Sequence, residues 1–420
     1  METETFFLIS VGLLVLCLFV LEKKIAITPV SFVIGIFLFT VPIKYLFLSF
    51  FDLPMKIYTS DYYFYYASIA ICSFAFFVML TTAILSVKNL KFAYLGYRPN
   101  KIVINASFFL FLSTCMLVVY RVGLNGLFDP ISFRRGLESG GALYLTQLYI
   151  LTVSLAIVML PPKRWVFKII FYGIHFGFCL AAGRTGYLLL YFLNIIFSSN
   201  IKRQRNFSFG ALISILFLTP LLAVFFLRYR LIKNSSSTIT ETMFTVIEEF
   251  NFTDLSVLMS LVLRRSDHLE HFSNFIGAFI EGEIMPSLQG LGDLFLQFIP
   301  RVFMPNKPPT FSTEMTGYFY PEVLDQGVTN NFLGISEFIS YFGMLGIILC
   351  GIYVGVLVKA LSLYAKKSIS TPAVYYVMFN LVFLYIFNGV MSGFFNDWAL
   401  QCLLLNIFYM SFLGRWIVFK

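Results

Sequence analysis

Long apolar runs recur along this chain, separated by short polar connections, and most approach the roughly 20 residues that carry a helix across a bilayer. Eleven can be read, at about 6–21, 28–43, 63–87, 102–119, 143–160, 166–182, 185–199, 207–227, 331–358, 372–393 and 398–414. The pattern predicts an all-α polytopic membrane protein. One stretch departs from the rhythm: residues 228–330 form a connection of about 100 residues, too apolar in places to be disordered. Leu288, Leu291, Leu294, Phe295 and Phe298 recur at helical spacing, and residues 255–263 are nearly all apolar but too few to span. Short amphipathic helices lying at the membrane–water boundary are the expected form, with a flexible tip around 234–238. The chain therefore divides into 1–227 (eight spans), 228–330 (the large loop) and 331–420 (three spans).

Composition agrees. With 59% apolar and 12% charged residues and a mean hydropathy of +0.84, the chain has far more apolar surface than a soluble domain of 420 residues can bury. The net charge of +9 is distributed by side. Alternate connections (22–27, 88–101, 161–168, 200–206, 359–371 and the C-terminal end) hold 17 Lys and Arg and one acid, Glu22; the opposite side holds the other 13 bases and 20 acids. By the positive-inside rule the first side is cytoplasmic, with the N-terminus outside and the C-terminus inside. The positive charge is thus a topology signal, and no nucleic-acid partner is implied. The N-terminus lacks a basic region and a small-residue cleavage site, so the first run reads as a retained anchor. The six cysteines lie singly in apolar runs and read as small hydrophobes.

No Walker A sequence, no dinucleotide fingerprint and no cytoplasmic loop beyond about 14 residues is present, which directs attention to the outer face. The cations there are mostly arginine: Arg121, Arg134, Arg135, Arg184, Arg228, Arg230, Arg264, Arg265 and Arg301, beside Lys44, Lys56, Lys233 and Lys307. Topology does not ask for them. The planar guanidinium binds phosphate at two points and stays ionised, so a phosphate or pyrophosphate ligand is implied; snorkelling to headgroups or pairing with outer carboxylates is the structural alternative. Arg184 stands in a tight Ala-Ala-Gly-Arg-Thr-Gly turn between two apolar runs, where a charge marks a functional site or caps a helix C-terminus. Arg301 and Lys307 stand in Ile299-Pro300-Arg301-Val302-Phe303-Met304-Pro305-Asn306-Lys307-Pro308-Pro309, whose prolines hold the two cations on a stiff backbone.

Glu337 is expected about two turns into the ninth span with Tyr341 one turn further on the same face, either to take a proton from a sugar hydroxyl or to pair with an arginine such as Arg184. His268 and His271 can share a helix face near Asp267 and Glu270; a solvated face is expected rather than a metal site. Either histidine, Asp293, Glu281 or Glu283 is an admissible base.

The Pro-Arg-x(3)-Pro-x-Lys-Pro segment, the Ser-Glu-Phe-x(2)-Tyr-Phe-Gly-x(2)-Gly run and the Gly-Arg-Thr-Gly turn resemble the Wzy-type O-antigen polymerases, which join oligosaccharide repeat units in Gram-negative inner membranes. The resemblance extends over most of the chain through its topology and implies a GT-C type polymerase-ligase architecture. It implies transfer of a growing glycan from undecaprenyl pyrophosphate to a lipid-linked acceptor repeat unit at the periplasmic face, with a chain-length-determining co-polymerase as partner. Under it, Arg184, Arg301, Arg134 and Arg135 clamp pyrophosphate with Lys307 assisting, Arg121 and Tyr341 belong to the substrate site, and Glu337, His268 or Asp293 is the base. No aspartate-rich motif stands in the first outer loop, so neither metal nor cofactor is expected. The alternatives are an O-antigen ligase, which shares topology and donor, and a lipid-linked oligosaccharide flippase or exporter, for which internal pseudo-symmetry is expected and none is found.

Overall fold

The computed structural model describes residues 60–85, 101–123, 268–297, 304–325 and 332–367, together with residues 166, 169–174, 177, 245, 299 and 330. Among them are helices and no strand: α1 (Asp61–Ile84), α2 (Lys101–Val122), α3 (His268–Ile280), α4 (Gln289–Leu296), α5 (Phe311–Phe319), α6 (Pro321–Asp325), α7 (Gly334–Phe342) and α8 (Leu345–Lys367). The expected spans at 6–21, 28–43, 143–160, 185–199, 207–227, 372–393 and 398–414, and the segments 234–238 and 255–263, lie outside the described residues. Two compact units result. One contains α1, α3 to α7 and α8 as far as residue 366; the other contains α2 and residues 166–177.

α1 is apolar all round, and its sequence divides it into two faces. Phe64, Ala67, Ile71, Phe74, Ala75 and Val78 recur at three- and four-residue intervals and are buried, whereas Phe76, Leu80 and Ile84 face outward. Two hydroxyls on the buried face are satisfied by the helix itself: Ser68 Oγ donates to the Phe64 carbonyl at 2.8 Å and Thr82 Oγ1 to that of Met79 at 2.8 Å. Among the described residues one helix, Tyr62–Ile84, is long and apolar enough to cross a membrane.

α1 packs on α3 and approaches α8, in each case through a glycine. Gly277 of α3 lies so close to the Tyr63 ring that a Cβ there would be 2.8 Å from Cδ2. On α8, a Cβ at Gly351 would come 2.6 Å from Phe77 Cβ and 2.9 Å from the Phe74 carbonyl, and one at Gly355 would come 2.7 Å from Thr81 Cβ. Gly351-x-x-x-Gly355 therefore lets two backbones meet.

The segment expected as a single span over 331–358 is instead two helices. α7 ends at Phe342, and Gly343 turns the chain with φ +63° and ψ −154°, a backbone that is essentially restricted to glycine. The helix also starts later than expected, after the extended Leu333, so Glu337 stands in the first turn of α7 and not two turns in. α8 continues through Lys367, into what reads in sequence as a cytoplasmic connection. In the second unit, Phe111 of α2 is buried against Phe171 with ring centroids 4.5 Å apart, and α2 closes at Gly123 with φ 76°.

Candidate functional site

The short helices between 268 and 342 assemble a polar site on an aromatic base. α3 is amphipathic and buries Leu269, Phe272, Phe275 and Ile276, while Phe332, fully buried, stacks between Phe319 (5.9 Å), Phe311 (6.3 Å) and the His271 ring (5.4 Å). His271 is thus buried, against the expectation of a solvated face. The reason is the Tyr320 hydroxyl, 49 positions away, which lies 3.0 Å from His271 Nδ1 and accepts from Asn274 Nδ2 at 3.1 Å. A hydrogen-bonded imidazole can be buried at little cost. Glu270 is buried beside it, and His268 at the head of α3 is half-buried.

The centre of the site is Tyr341. Its hydroxyl donates to Glu337 Oε1 at 3.1 Å, one helical turn back on the same face as expected. Its ring rests on α4 at Gly290, where a Cβ would lie 2.6 Å from Cε1. Asp293 stands three residues further along α4, and both Asp293 and Glu314 of α5 are within electrostatic reach of the phenol. Carboxylates of three helices therefore act electrostatically on one tyrosine, with Glu337 in hydrogen-bond contact. Two of them, Glu337 and Asp293, are candidates from the sequence; Glu314 and Gly290 carry no signal there, because only the fold brings them to Tyr341.

The carboxylates differ in exposure. Glu337 is fully buried, Asp293 is half-buried, and Glu314 keeps a solvent-exposed edge. Desolvation, and secondarily the charge of Asp293, raise the Glu314 carboxyl above the usual glutamate range. The sign of its effect on stability follows. The native state favours the protonated form, so Glu314 contributes stability below the ordinary glutamate range and loses that contribution as pH rises through its elevated value. Glu314→Gln is accordingly expected to raise the melting temperature of the purified protein by about one or two degrees at pH 7.5, with the gain shrinking toward pH 4. A gain that grows on acidification would contradict this assignment.

Lys307 is held by the chain itself. It is buried, and its Nζ donates to the Gln297 main-chain carbonyl at 2.6 Å, at the C-terminal end of α4 where the helix dipole favours a cation. Gln297 Nε2 in turn donates to the carbonyls of Pro308 (3.1 Å) and Pro309 (3.3 Å). These bonds strap the proline-rich segment across the end of α4, one turn beyond Asp293. Lys307, expected from the sequence to assist an anion clamp, is thus bonded to the main chain at this point. Arg121 is exposed in the last turn of α2, in the other unit. Arg134, Arg135, Arg184 and Arg301 lie outside the described residues. Among the described residues no three His, Cys, Asp or Glu side chains are grouped so as to hold a metal ion.

The arrangement joins a half-buried carboxylate to a buried carboxylate–phenol pair, which suits moving a proton to or from a hydroxyl brought to Asp293. No protein-family model matches the chain, and searches of curated proteins and of solved structures give no match.

Proposed function

We propose that the chain is an integral-membrane glycosyltransferase of about eleven spans that extends an undecaprenyl-pyrophosphate-linked glycan at the periplasmic face of the bacterial inner membrane, as the O-antigen polymerases it resembles do. The observation that supports this reading is the hydrogen bond of Tyr341 to Glu337 in α7, within electrostatic reach of Asp293 and Glu314 on the short helices α4 and α5. In this reading Asp293, more accessible than the buried Glu337, takes the proton of the acceptor hydroxyl. The freed oxygen attacks the anomeric carbon of the donor, whose bond to the pyrophosphate oxygen breaks, and undecaprenyl pyrophosphate departs with the bonding pair. Glu337 and Tyr341 act as positioning residues: their bond fixes the tyrosine against α4. Charge on the departing pyrophosphate requires donors, for which Arg184, Arg301, Arg134 and Arg135 are the candidates.

Loss of the gene is expected to leave lipopolysaccharide with a single repeat unit, read as one shifted band on a gel in place of a ladder. Core with no repeat unit at all would indicate a ligase and overturn the polymerase reading.

A further inference from the structure

Among the described residues, the end of the α1 unit that carries the 281–288 turn presents tyrosines and carboxylates and no lysine or arginine. α1 opens with Asp61-Tyr62-Tyr63-Phe64-Tyr65-Tyr66. Tyr62 and Tyr66 stand with ring centroids 4.8 Å apart and their hydroxyls 3.4 Å apart, and Tyr62 is 55% and Tyr66 37% exposed. Beside them the Tyr63 hydroxyl donates to Glu281 Oε1, and from α5 the half-exposed Tyr318 donates to Glu283 Oε2 at 2.9 Å. Glu283 is also within electrostatic reach of Tyr63, which joins the two pairs into one surface. That surface leads to the candidate site: the turn bearing both glutamates continues to Ser287, whose N–H donates to the Ser340 carbonyl at 2.8 Å, next to Tyr341.

We propose that this surface is a docking platform for a hydroxyl-rich sugar chain, in which Tyr62, Tyr66 and Tyr318 stack on pyranose faces and Glu281 and Glu283 accept hydrogen bonds from ring hydroxyls. Exposed tyrosines offer large, rigid, amphipathic faces at low entropic cost. Carboxylates are acceptors only, and each has room for several hydroxyl donors in addition to the tyrosine already bound. The same carboxylates oppose a phosphate headgroup, and neither residues 60–66 nor 281–288 contain a lysine or arginine to attract one. The proposal rests on the polymerase reading for its choice of sugar, and names the part of the substrate remote from the pyrophosphate.

The test is saturation-transfer NMR on the full chain in nanodiscs, with two-unit oligosaccharides released by mild acid from the surface polysaccharide of the producing cell. Transfer to ring C–H protons is expected for the unaltered protein. Tyr62→Ala with Tyr66→Ala, and separately Tyr318→Ala, should weaken binding about fivefold, while Tyr318→Phe, which keeps the ring, should bind nearly as well as the parent. No transfer from the unaltered protein, or equal transfer from the alanine variants, overturns the platform. So does a loss confined to association with phosphatidylglycerol vesicles, which would make these tyrosines an interfacial lipid belt. Failure of the two readings is separable. Alanine variants that bind normally in cells still making polymer overturn the platform alone; saccharide binding by a protein whose gene is dispensable for polymer overturns the polymerase reading alone.

Discussion

Asp293→Asn is expected to abolish the polysaccharide ladder, with a fall in transfer rate of about 10²–10⁴-fold, the range that a positioned general base contributes. Asparagine matches aspartate in shape, and the side chain is only half-buried on α4, so the variant should accumulate and melt like the parent. The measurement is therefore a pair: gel analysis of lipopolysaccharide from a complemented deletion strain, and thermal unfolding of the purified protein. Normal ladders from well-folded Asp293→Asn would remove the aspartate from the chemistry. Glu337 behaves differently in this account. Fully buried, it reaches a substrate hydroxyl only through Tyr341, and its replacement should lower the rate less than that of Asp293 does.

The second large effect belongs to a methyl group. Gly346, in the first turn of α8, lies against the last turns of α7: a Cβ there would overlap the Phe338 carbonyl and stand 2.6 Å from the Ile339 nitrogen. Those atoms are main chain inside a helix and have no rotamer by which to yield. Gly346→Ala is therefore expected to cost about 3 kcal/mol, the upper part of the range for overpacking, and to lower the melting temperature by several degrees. Because α7 must move to admit the methyl, Glu337 and Tyr341 move with it, and the ladder should shorten or vanish even where protein accumulates. A melting temperature within a degree of the parent would show that the corner between α7 and α8 is looser than its contacts imply.

The elements with continuous apolar sequence were the legible ones. The apolar runs read at 63–87 and 102–119 are helical, as α1 at 61–84 and α2 at 101–122, because long apolar runs without glycine or proline carry no signal to break a helix. The helical spacing of Leu291 and Leu294 likewise anticipates α4. Hydropathy failed at 331–358, where a window of that length averages away both the charge of Glu337 and the break at Gly343, which is a matter of φ and not of polarity. It failed at His271 because the partner that permits burial, Tyr320, is distant in sequence. Of the site, Glu337, Tyr341 and Asp293 were visible as polar residues in unusual places; Glu314, Gly290 and the Gly351–Gly355 contact were not, since each has meaning only against a partner on another helix.

The glycine contact between α1 and α8 also bears on how the chain reaches this state. α1 ends at residue 84, and the helix that meets it through Gly351 and Gly355 begins only at residue 345. At a synthesis rate of about 5–20 residues per second, α1 waits about 10–50 s before α8 has been made. Through that interval the buried face of α1, with Ala67, Ala70 and Ala75 along it, lacks the partners that later cover it. Assembly of this unit is thus a late event, completed only after most of the chain has left the ribosome.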